Sequence, residues 1–404
     1  MIKLKLHWQI LIALVIAVIY GLFLTDYVSY DGWMGDLFLR GLKMIIVPLI
    51  LTSIISGVAN IGDAHNLGRL GLKTFAYYIT TSFFAIITGL VLVNIIQPGV
   101  GADLGLKSKV PELAATSGDL GDIIMRMVPT NIFDALVSAD MLAIIFFSIL
   151  IGYFITRVNE KHKTMFTDFF NGSFEVMMKL THFIIKFTPL GILGIVAGVV
   201  AEQADNLMNL IGSLGLYMSA VFLGLMIHAF ITLPLIIKFI AKVNPRLHAR
   251  AMSAPLLTAF STSSSSATLP LTLDAVENNS GVSNKVTSFV LPLGATVNMD
   301  GTALYECVAA MFIAQAYGVE LGFLMQMVVV MTALLASIGA AGIPMAGLVM
   351  ISVILSAVGL PLEGIGLILA VDRILDMCRT TVNVWSDSCG AVTIAKSEGE
   401  TLKV

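Results

Sequence analysis

Charged residues are scarce in this chain. Asp, Glu, Lys and Arg together make up 12% of the 404 residues, about half of the ~25% found in ordinary soluble proteins. Hydrophobic residues account for 57%, and apolar stretches long enough to cross a bilayer recur from end to end. The composition excludes an ordinary soluble domain and indicates an α-helical membrane protein with several spans.

Features of several other protein classes are missing. The chain has only three cysteines and six histidines, and neither set has the spacing of a metal site. No GxxxxGK[ST] motif occurs, which argues against an ATP-driven pump. The formal net charge of −3 gives no sign of a nucleic-acid partner. We therefore expect no nucleic-acid partner, no organic cofactor and no enzymatic activity.

Eight apolar stretches have the length of transmembrane helices. They occupy residues 8–25, 37–61, 73–97, 141–157, 174–201, 207–241, 284–316 and 362–395. No polar linker separates soluble domains, so we expect residues 1–404 to form a single membrane domain. The first stretch lacks a convincing cleavage site, which favours a retained helix over a signal peptide.

Basic residues alternate among the predicted loops. Lysine and arginine are frequent before the first span, near 69–73, after the fourth span and at 242–250, whereas aspartates follow the first span. By the positive-inside rule, this alternation predicts that both termini are cytoplasmic. The loop at 98–122 blurs the pattern, because lysines and acidic residues occur there together.

The segment 372–387, DRILDMCRTTVNVWSD, is unusually polar for so apolar a chain. At 100° per residue, six of its polar side chains fall within a helical arc of about 100°. They are Asp372, Asp376, Arg379, Thr380, Asn383 and Asp387. A solvated surface would explain such a stripe in water, but a charge at the bilayer centre costs ~2.5–3.5 kcal/mol. The stripe therefore predicts a polar substrate or ion site, with a structural ion-pair network as the alternative.

Two segments are too polar or too interrupted to cross a bilayer. STSSSSATLP (261–270) lies between short apolar flanks, and ASIGAAGIPMAG (336–347) interrupts an apolar run. Each favours two half-helices joined by a turn, which at membrane depth requires an adjoining cavity. Backbone N–H groups and serine hydroxyls at the first turn suit a carboxylate. The alternatives are a polar loop outside the membrane for the first segment and a helix-packing face for the second.

Paired interrupted segments point to a secondary transporter built from inverted repeats. NMDGTALYE (298–306) lies between them, and Gly301 favours local unwinding there. Unwound carbonyls and the Asp300 carboxylate are hard oxygen ligands that suit Na⁺. Tyr78, Thr81 and Ser82 add hydroxyl groups in the third span, although such clusters more often only pack.

STSSSSATLP, NMDGTALYE, ASIGAAGIP and DMCRTTVNVWSD occur in this order, and the sequence resembles the dicarboxylate/amino acid:cation symporters over nearly its whole length. The resemblance implies eight transmembrane helices, inverted repeats and two re-entrant helical hairpins near 251–280 and 322–360. It also implies a homotrimer in which approximately 1–72 and 98–241, minus the parts that belong to the core, form the scaffold and trimerisation helices. Approximately 73–97 and 250–396 would form a transport core that moves as an elevator.

The resemblance implies roles for individual residues. Those implied to bind an acidic amino acid are Ser264, Ser265, Thr302, Ile343, Gly347, Asp376, Arg379, Thr380 and Asn383. The serines match the group that holds the main-chain carboxylate, Asp376 the ammonium ligand, and Arg379 the ligand of the side-chain carboxylate. Those implied to bind Na⁺ are Tyr78, Thr81, Ser82, Gly294, Thr296, Asn298, Asp300, Ser337, Ile338, Ala340, Asn383 and Asp387.

Some positions depart from the pattern of particular relatives. Ser263 and Met377 stand where some archaeal or animal relatives carry an arginine, and Arg373 lies nearby without an assigned role. Glu306 matches a glutamate that carries a proton in animal relatives, which makes H⁺ a further candidate ion. The long extracellular loop of animal members is missing, which favours the inner membrane of a prokaryote.

The sequence thus predicts a symporter that takes up glutamate or aspartate with at least two cations, mainly Na⁺. A C4-dicarboxylate such as malate, succinate or fumarate is the alternative cargo, although those members lack the counterpart of Asp376. A hydrolase that uses Ser264 would need a general base, and neither neighbouring motif contains histidine. An ion channel stays open as a side activity, because polar helices also line pores.

Overall fold

In a computed structural model, every regular element of the described chain is helical. The described residues are 6–64, 69–101, 121, 125, 127–202, 207–339 and 346–404. The α-helices are Leu6–Phe23, Val28–Ala64, Arg69–Ile96, Ile132–Ser138, Met141–Ile155, Glu160–Ile185, Thr188–Glu202, Leu207–Ile227, Leu233–Phe239, Pro245–Ala251, Ser253–Thr262, Ser265–Asp274, Asn284–Val297, Asp300–Ala316, Phe323–Gly339, Ala346–Ala357 and Ile365–Ser397. The predicted all-α class is confirmed for these residues.

Three helical stretches are long and apolar enough to cross a bilayer. They are Tyr30–Asn60, Arg69–Ile96 and Ile211–Phe239. A bent pair, Glu160–Ile185 with Thr188–Ala201, makes a fourth if it is one span. Each coincides with a predicted span. The remaining predicted spans correspond to shorter, broken or more charged helices, so the total of eight stays a prediction.

The predicted span 174–201 is two helices rather than one continuous helix. The first helix ends at Ile185, the second begins at Thr188, and the axis bends by 53° between them. Pro189 lies at the start of the second helix. It accounts for the break, because proline has no N–H donor and its ring crowds the preceding turn. Proline is well tolerated in the first turn of a helix, so the second helix continues normally.

The predicted span 284–316 is also interrupted, at Asn298 and Met299. Both residues leave the helical region, with φ/ψ of −96°/78° and −111°/59°. The unwinding expected near Gly301 therefore lies before it, and Gly301 itself is helical. A Cβ at Gly301 would stand 2.5 Å from the Arg379 carbonyl oxygen, so glycine is needed there for close helix packing.

Two half-helices occupy each of the segments that looked too interrupted to cross a bilayer. Hairpin 1 consists of Ser253–Thr262 and Ser265–Asp274, and hairpin 2 of Phe323–Gly339 and Ala346–Ala357. In each, the two helices pack against each other. The tip of hairpin 2, with Ala340 and Ile343, lies outside the described residues. The re-entrant placement of both hairpins in a bilayer stays a prediction.

The helix Ile365–Ser397, here called the core helix, is the centre of the packing. Both halves of hairpin 1, the broken pair before and after Asn298, and the helix Arg69–Ile96 contact it. Apart from Arg69–Ile96, the helices up to residue 202 pack mainly on one another. Val28–Ala64 contacts Met141–Ile155, Glu160–Ile185 and Thr188–Glu202, and Leu6–Phe23 packs on Thr188–Glu202. Hairpin 2 contacts both groups. The core helix therefore brings the polar motifs of distant segments together.

Candidate functional site

The polar stripe of the core helix is buried in the protein. Each of its six side chains is at most 5% exposed: Asp372, Asp376, Arg379, Thr380, Asn383 and Asp387. Lysine, arginine and aspartate are almost never buried to this extent unless they are paired. The stripe meets its partners in two separate clusters, one around Arg379 and one around Asp300 and Asp387.

The arginine cluster consists of Arg379, Asp372, Asp376 and Tyr305. Arg379 Nη1 donates to Asp372 Oδ1 at 3.0 Å, and Arg379 Nε donates to Asp376 Oδ1 at 2.9 Å. The Tyr305 hydroxyl donates to Asp372 Oδ1 at 2.6 Å, and the guanidinium carbon lies 4.2 Å from the centre of the tyrosine ring. Arg373 Nη1 is 3.6 Å from Asp376 Oδ2. One buried guanidinium therefore serves two carboxylates.

Gly347 places hairpin 2 against the arginine cluster. A Cβ at this position would lie 3.0 Å from Arg379 Nη1 and 3.1 Å from Arg379 Cζ. The backbone of hairpin 2 thus approaches the guanidinium as closely as a residue without a side chain allows. Gly301 does the same from the other direction, against the Arg379 backbone. The predicted pocket residues Gly347 and Arg379 are brought together by this packing.

Asp300 is the centre of the carboxylate cluster, which also contains Asp387. Asp300 Oδ1 accepts hydrogen bonds from Ser82 Oγ at 2.6 Å and Thr81 Oγ1 at 3.3 Å. Asp300 Oδ2 accepts from Ser386 Oγ at 2.6 Å and lies 2.9 Å from His228 Nε2. All of these groups belong to different helices from Asp300 itself. The first turn of its own helix adds a favourable dipole for the carboxylate.

Asp387 lies close to Asp300 through a shared set of neighbours. Asn298 Nδ2 donates to Asp387 Oδ1 at 2.9 Å and to Ser386 Oγ at 3.1 Å. A Cβ at Gly294 would stand 2.5 Å from Asp387 Oδ1 and 3.0 Å from the Tyr78 hydroxyl. Tyr78 itself donates to the Val290 carbonyl oxygen at 2.6 Å. Tyr78, one of the predicted Na⁺ ligands, therefore borders the Asp387 side of the cluster.

Asn383 connects the two clusters along the core helix. Its Oδ1 accepts from the Gly301 N–H at 2.8 Å, and its Nδ2 donates to Thr302 Oγ1 at 3.0 Å. The side chain thereby satisfies a free N–H group at the start of the helix after the break. Thr302 and Thr380, two further predicted pocket residues, are buried on the same surface.

The turn of hairpin 1 is formed by serines. Ser263 takes a left-handed conformation, with φ of 51°, and its buried hydroxyl has no hydrogen-bond partner among the described residues. Ser264 Oγ accepts from the Ala267 N–H at 3.2 Å and so caps the second half-helix. Ser265 is buried in the first turn of that half-helix. Helical N–H groups and hydroxyls thus converge at this turn, which contacts the core helix through both half-helices.

The remaining predicted sodium ligands are spread more widely. Ser337 is buried and its hydroxyl donates to the Leu334 carbonyl oxygen at 2.9 Å, whereas Thr296 is exposed and donates to Leu293. Ile338 packs near Gly57. Ala340 and Ile343 lie outside the described residues, so this third group is only partly seen.

Glu306 is fully buried one helical turn beyond Thr302. Neither of its carboxylate oxygens has a hydrogen-bond partner among the described residues. A bare carboxylate in such surroundings is costly, whereas the neutral acid is much less so. The position suits a group that takes up and releases a proton.

Three residues of these clusters were not assigned by the sequence analysis: His228, Ser386 and Tyr305. His228 begins a π-helical turn, His228–Thr232, within an otherwise apolar span. An ionisable residue within a span is itself a signal of function, and π turns are frequent at functional sites. Ser386 and Tyr305 lie inside the motifs quoted above, next to assigned carboxylates, but serine and tyrosine alone carry too weak a signal.

Comparison with known proteins gives matches over nearly the whole chain. Residues 6–397 match the sodium:dicarboxylate symporter family. Excitatory amino acid transporter 3 of Homo sapiens is 39% identical over 419 residues, which cover 91% of this chain and 79% of that one. The proton/glutamate-aspartate symporter of Escherichia coli (strain K12) is 34% identical over 414 residues, 98% of this chain and 94% of that one. The proton/sodium-glutamate symport protein of Geobacillus stearothermophilus is 34% identical over 408 residues, 98% and 96% respectively.

Proposed function

The chain belongs to the sodium:dicarboxylate symporter family, and we propose that it is a secondary active transporter that takes up glutamate or aspartate together with Na⁺. Members of this family are transporters rather than enzymes. Relatives named as excitatory amino acid transporters and as glutamate-aspartate symporters support the substrate class. Relatives named for both proton and sodium support Na⁺ as the main coupled ion and H⁺ as a second one.

The observation that carries the substrate proposal is the buried pair of Asp376 and Arg379. Arg379 Nη2 is 2.8 Å from Asp376 Oδ1, and both residues are almost completely buried. An acidic amino acid carries one ammonium group and two carboxylates. Its ammonium group can take the place of Arg379 beside Asp376, and one carboxylate can take the place of Asp376 beside Arg379. The substrate thereby exchanges one buried ion pair for two, without leaving a buried charge unpaired.

The second carboxylate is assigned to the turn of hairpin 1. Ser264 and Ser265 lie where N–H groups at the start of a helix bind anions. Ser263 supports this assignment, because its buried hydroxyl has no partner among the described residues. Gly347 of hairpin 2 is assigned to the same pocket, because it lies directly against the Arg379 guanidinium. A C4-dicarboxylate would leave Asp376 without an ammonium partner, and this counts against malate or succinate as the cargo.

The carboxylate cluster is assigned to the cations. Asp300 with Thr81 and Ser82, and Asp387 with Asn298, Asn383 and the backbone near Gly294, offer oxygen atoms at the break in the helix. Na⁺ prefers such hard ligands, and broken helices supply them in transporters. Thr296, Ser337, Ile338 and Ala340 are assigned to a further Na⁺ through their backbone carbonyls.

Charge counting sets a minimum for the coupling. Glutamate and aspartate carry a net charge of −1, and an inside-negative potential of 100 mV opposes their entry by ~2.3 kcal/mol. One Na⁺ carried with the substrate only cancels this opposing free energy, because the net charge that crosses is then zero. Two or more cations make uptake inwardly driven, which agrees with the two buried carboxylates of the carboxylate cluster, Asp300 and Asp387.

We assign the movement to an elevator mechanism in a homotrimer. The helices that contact the core helix would form the moving body, and the N-terminal group around Val28–Ala64 the fixed scaffold. The separate packing of these two groups supports this division. The protein would lie in the inner membrane of a prokaryotic cell with both termini in the cytoplasm.

Uptake by the purified protein in proteoliposomes tests the proposed function. We expect radiolabelled aspartate and glutamate to accumulate when a Na⁺ gradient points inward, and accumulation to rise with an inside-negative potential. Malate and succinate should compete poorly. Varying Na⁺, H⁺ and K⁺ separately identifies the coupled ions. Uptake that ignores both the Na⁺ gradient and the voltage would contradict the proposal.

A further inference from the structure

A groove runs along the helix Ile211–Phe239, and its lining residues include none of the charged residues of the two clusters. Its volume is about 1100 Å³, and its walls come from this helix, the first half of hairpin 1 and the core helix. Drug-sized ligands typically occupy ~300–1,000 Å³, so the groove takes a larger molecule than the amino acid proposed above. Here it is called the basic-rimmed groove, after the residues at one of its ends.

The walls of the groove are apolar over most of its length. Phe222, Leu225 and Phe230 contribute from the helix, Phe260 from hairpin 1, and Trp385 from the core helix. Phe222 and Phe230 are 50% and 69% exposed. Because the helix is long and apolar enough to cross a bilayer, these side chains lie at the depth of the lipid hydrocarbon. Apolar chains are the occupants that suit this part.

One end of the groove is basic. Lys238, Lys242 and Arg246 line it, together with Asn244, and no acidic residue among those that the structure describes does so. None of these three side chains has a carboxylate within 4 Å in the part of the chain that the structure describes. Lys238 lies at the end of the apolar span, where the bilayer passes into its headgroup layer. The rim therefore offers three solvent-facing positive charges at headgroup level.

We propose that the basic-rimmed groove binds an anionic phospholipid. The phosphate would lie on Lys238, Lys242 and Arg246, and the acyl chains along the aromatic wall. Basic pockets at the ends of transmembrane helices bind anionic headgroups in this way. The floor of the groove includes Cys378 and Thr381, which flank Arg379 and Thr380 in the sequence. The lipid would thus contact the segment of the core helix that carries the substrate site.

This inference requires a membrane-embedded chain but not the proposed substrate. Its test therefore uses a direct reading of lipid contact rather than transport. Trp385 is suitable, because its indole lies in the groove wall and donates to the Ala229 carbonyl oxygen at 3.0 Å. The chain has only two other tryptophans, Trp8 and Trp33, and both are more than half exposed. Replacing those two by phenylalanine leaves Trp385 as the only reporter.

The experiment measures quenching of Trp385 by brominated lipids in vesicles of the W8F/W33F variant. Brominated phosphatidylglycerol is compared with brominated phosphatidylcholine at increasing mole fractions in phosphatidylcholine. We expect half-maximal quenching by the anionic lipid at a mole fraction at least about fivefold lower. The variant K238Q/K242Q/R246Q, made in the same background, should lose this preference. The charge-preserving variant K238R/K242R/R246K should keep it.

A matched control removes three positive charges elsewhere. Arg157, Lys161 and Lys186 are exposed and do not line the groove, so R157Q/K161Q/K186Q should leave the preference unchanged. Equal quenching by the two lipids would mean that only bulk lipid reaches Trp385, and the proposal would be wrong. It would also be wrong if Trp385 were not quenched, or if K238Q/K242Q/R246Q and the control R157Q/K161Q/K186Q lowered the preference equally. None of these results bears on Na⁺-driven uptake, so the two proposals can fail separately.

Discussion

The arginine cluster and the carboxylate cluster lie on the same helix but balance their charges differently. In the arginine cluster, Arg379 lies between Asp372 and Asp376, and Tyr305 supplies a further hydrogen bond. In the carboxylate cluster, Asp300 and Asp387 are surrounded by hydroxyl, amide and imidazole groups. No lysine or arginine of the described chain lies within 4 Å of either carboxylate.

This difference in charge balance suits the arginine cluster to a zwitterionic substrate and the carboxylate cluster to a cation. The carboxylates of the arginine cluster already share a guanidinium, and a zwitterionic ligand can enter this cluster by exchanging partners with Asp376 and Arg379. Two neighbouring carboxylates without a lysine or arginine beside them are costly in a low-dielectric interior, and a cation from solution relieves that cost. We therefore expect substitutions in the arginine cluster to alter substrate selectivity and substitutions in the carboxylate cluster to alter cation dependence.

The largest effect is expected for Arg379→Cys. Aspartate and glutamate should lose more than about 100-fold in affinity, because each charge-assisted hydrogen bond is worth ~1.5–3 kcal/mol. The site should then bind a small neutral amino acid such as serine or alanine, since Asp376 and the serine turn are intact. Calorimetry with both ligand classes at saturating Na⁺ measures the loss of affinity for acidic amino acids and the gain for neutral ones.

The gain of neutral substrates also serves as the folding control for this variant. A misfolded protein would bind neither class. Tight aspartate binding by Arg379→Cys would show that Arg379 does not contact the side-chain carboxylate, and the substrate assignment would have to be abandoned. Arg373→Gln is the matched variant. Arg373 also approaches Asp376, but its distance of 3.6 Å is longer than that of Arg379, and its side chain is partly exposed. Its effect on affinity should be much smaller.

The next largest effect is expected for Asp300→Asn and Asp387→Asn. Each removes one negative charge and keeps a similar shape, so the Na⁺ concentration for half-maximal substrate binding should rise at least about tenfold. Relative affinities for aspartate, glutamate and serine should stay in the same order. Titrating Na⁺ at several fixed substrate concentrations tests this. A changed order of substrates with unchanged Na⁺ dependence would contradict the division between the clusters.

A smaller effect on the same cation site is expected for His228→Ala. His228 Nε2 lies 2.9 Å from Asp300 Oδ2, so its loss leaves Ser386 as the only side-chain partner of that oxygen among the described residues and loosens the carboxylate. The Na⁺ concentration for half-maximal binding should shift severalfold, with no change in substrate order. His228→Gln retains a side-chain donor and should recover much of the loss. Equal defects in both variants would indicate that the ring only fills space in the helix packing.

Glu306→Gln should change binding least among the buried variants. The side chain has no hydrogen-bond partner among the described residues, and glutamine keeps its volume without a proton to exchange. Exchange of internal for external substrate should therefore persist, whereas the pH dependence of net uptake should disappear. The comparison is made in one set of proteoliposomes at pH 6 to 8. A pH profile identical to that of the parent protein would argue against a proton role for Glu306.

The sequence predicted the local features of this site better than its tertiary contacts. A helical period of 100° was sufficient to collect Asp372 to Asp387 into one stripe, since all six positions belong to one continuous helix. The two half-helices of each hairpin were visible because polar or small residues interrupt apolar runs. These signals depend only on neighbours in the sequence.

The rest depends on contacts between distant segments. Asn298 leaves its helix three residues before Gly301, and its amide is held by Asp387, which lies 89 residues later. His228 and Asp300 are 72 residues apart, and no local pattern links them. Pro189, by contrast, was a visible signal of the bend between Ile185 and Thr188 that the hydropathy pattern concealed. Helix ends set by tertiary hydrogen bonds cannot be read from periodicity.

The smallest effect is expected at a third ion cluster, which lies at the partly exposed protein surface rather than in the interior. Glu398 follows the core helix and is bound by Arg69 at 2.9 Å and Lys73 at 2.6 Å. These hydrogen bonds and charges lower the pKa of Glu398 to about 2. Because the pKa is depressed on folding, the stabilisation is present above the ordinary pKa of about 4.5 and is lost as the pH falls toward 2.

Exposed ion pairs contribute little, so Glu398→Gln should lower the melting temperature only slightly at pH 7 and leave transport unchanged. The difference from the parent protein should shrink as the pH is lowered, and added salt at pH 7 should shrink it as well. A large or salt-independent loss of stability would mean that this pair behaves like the buried arginine cluster, and solvent exposure would not be what separates them.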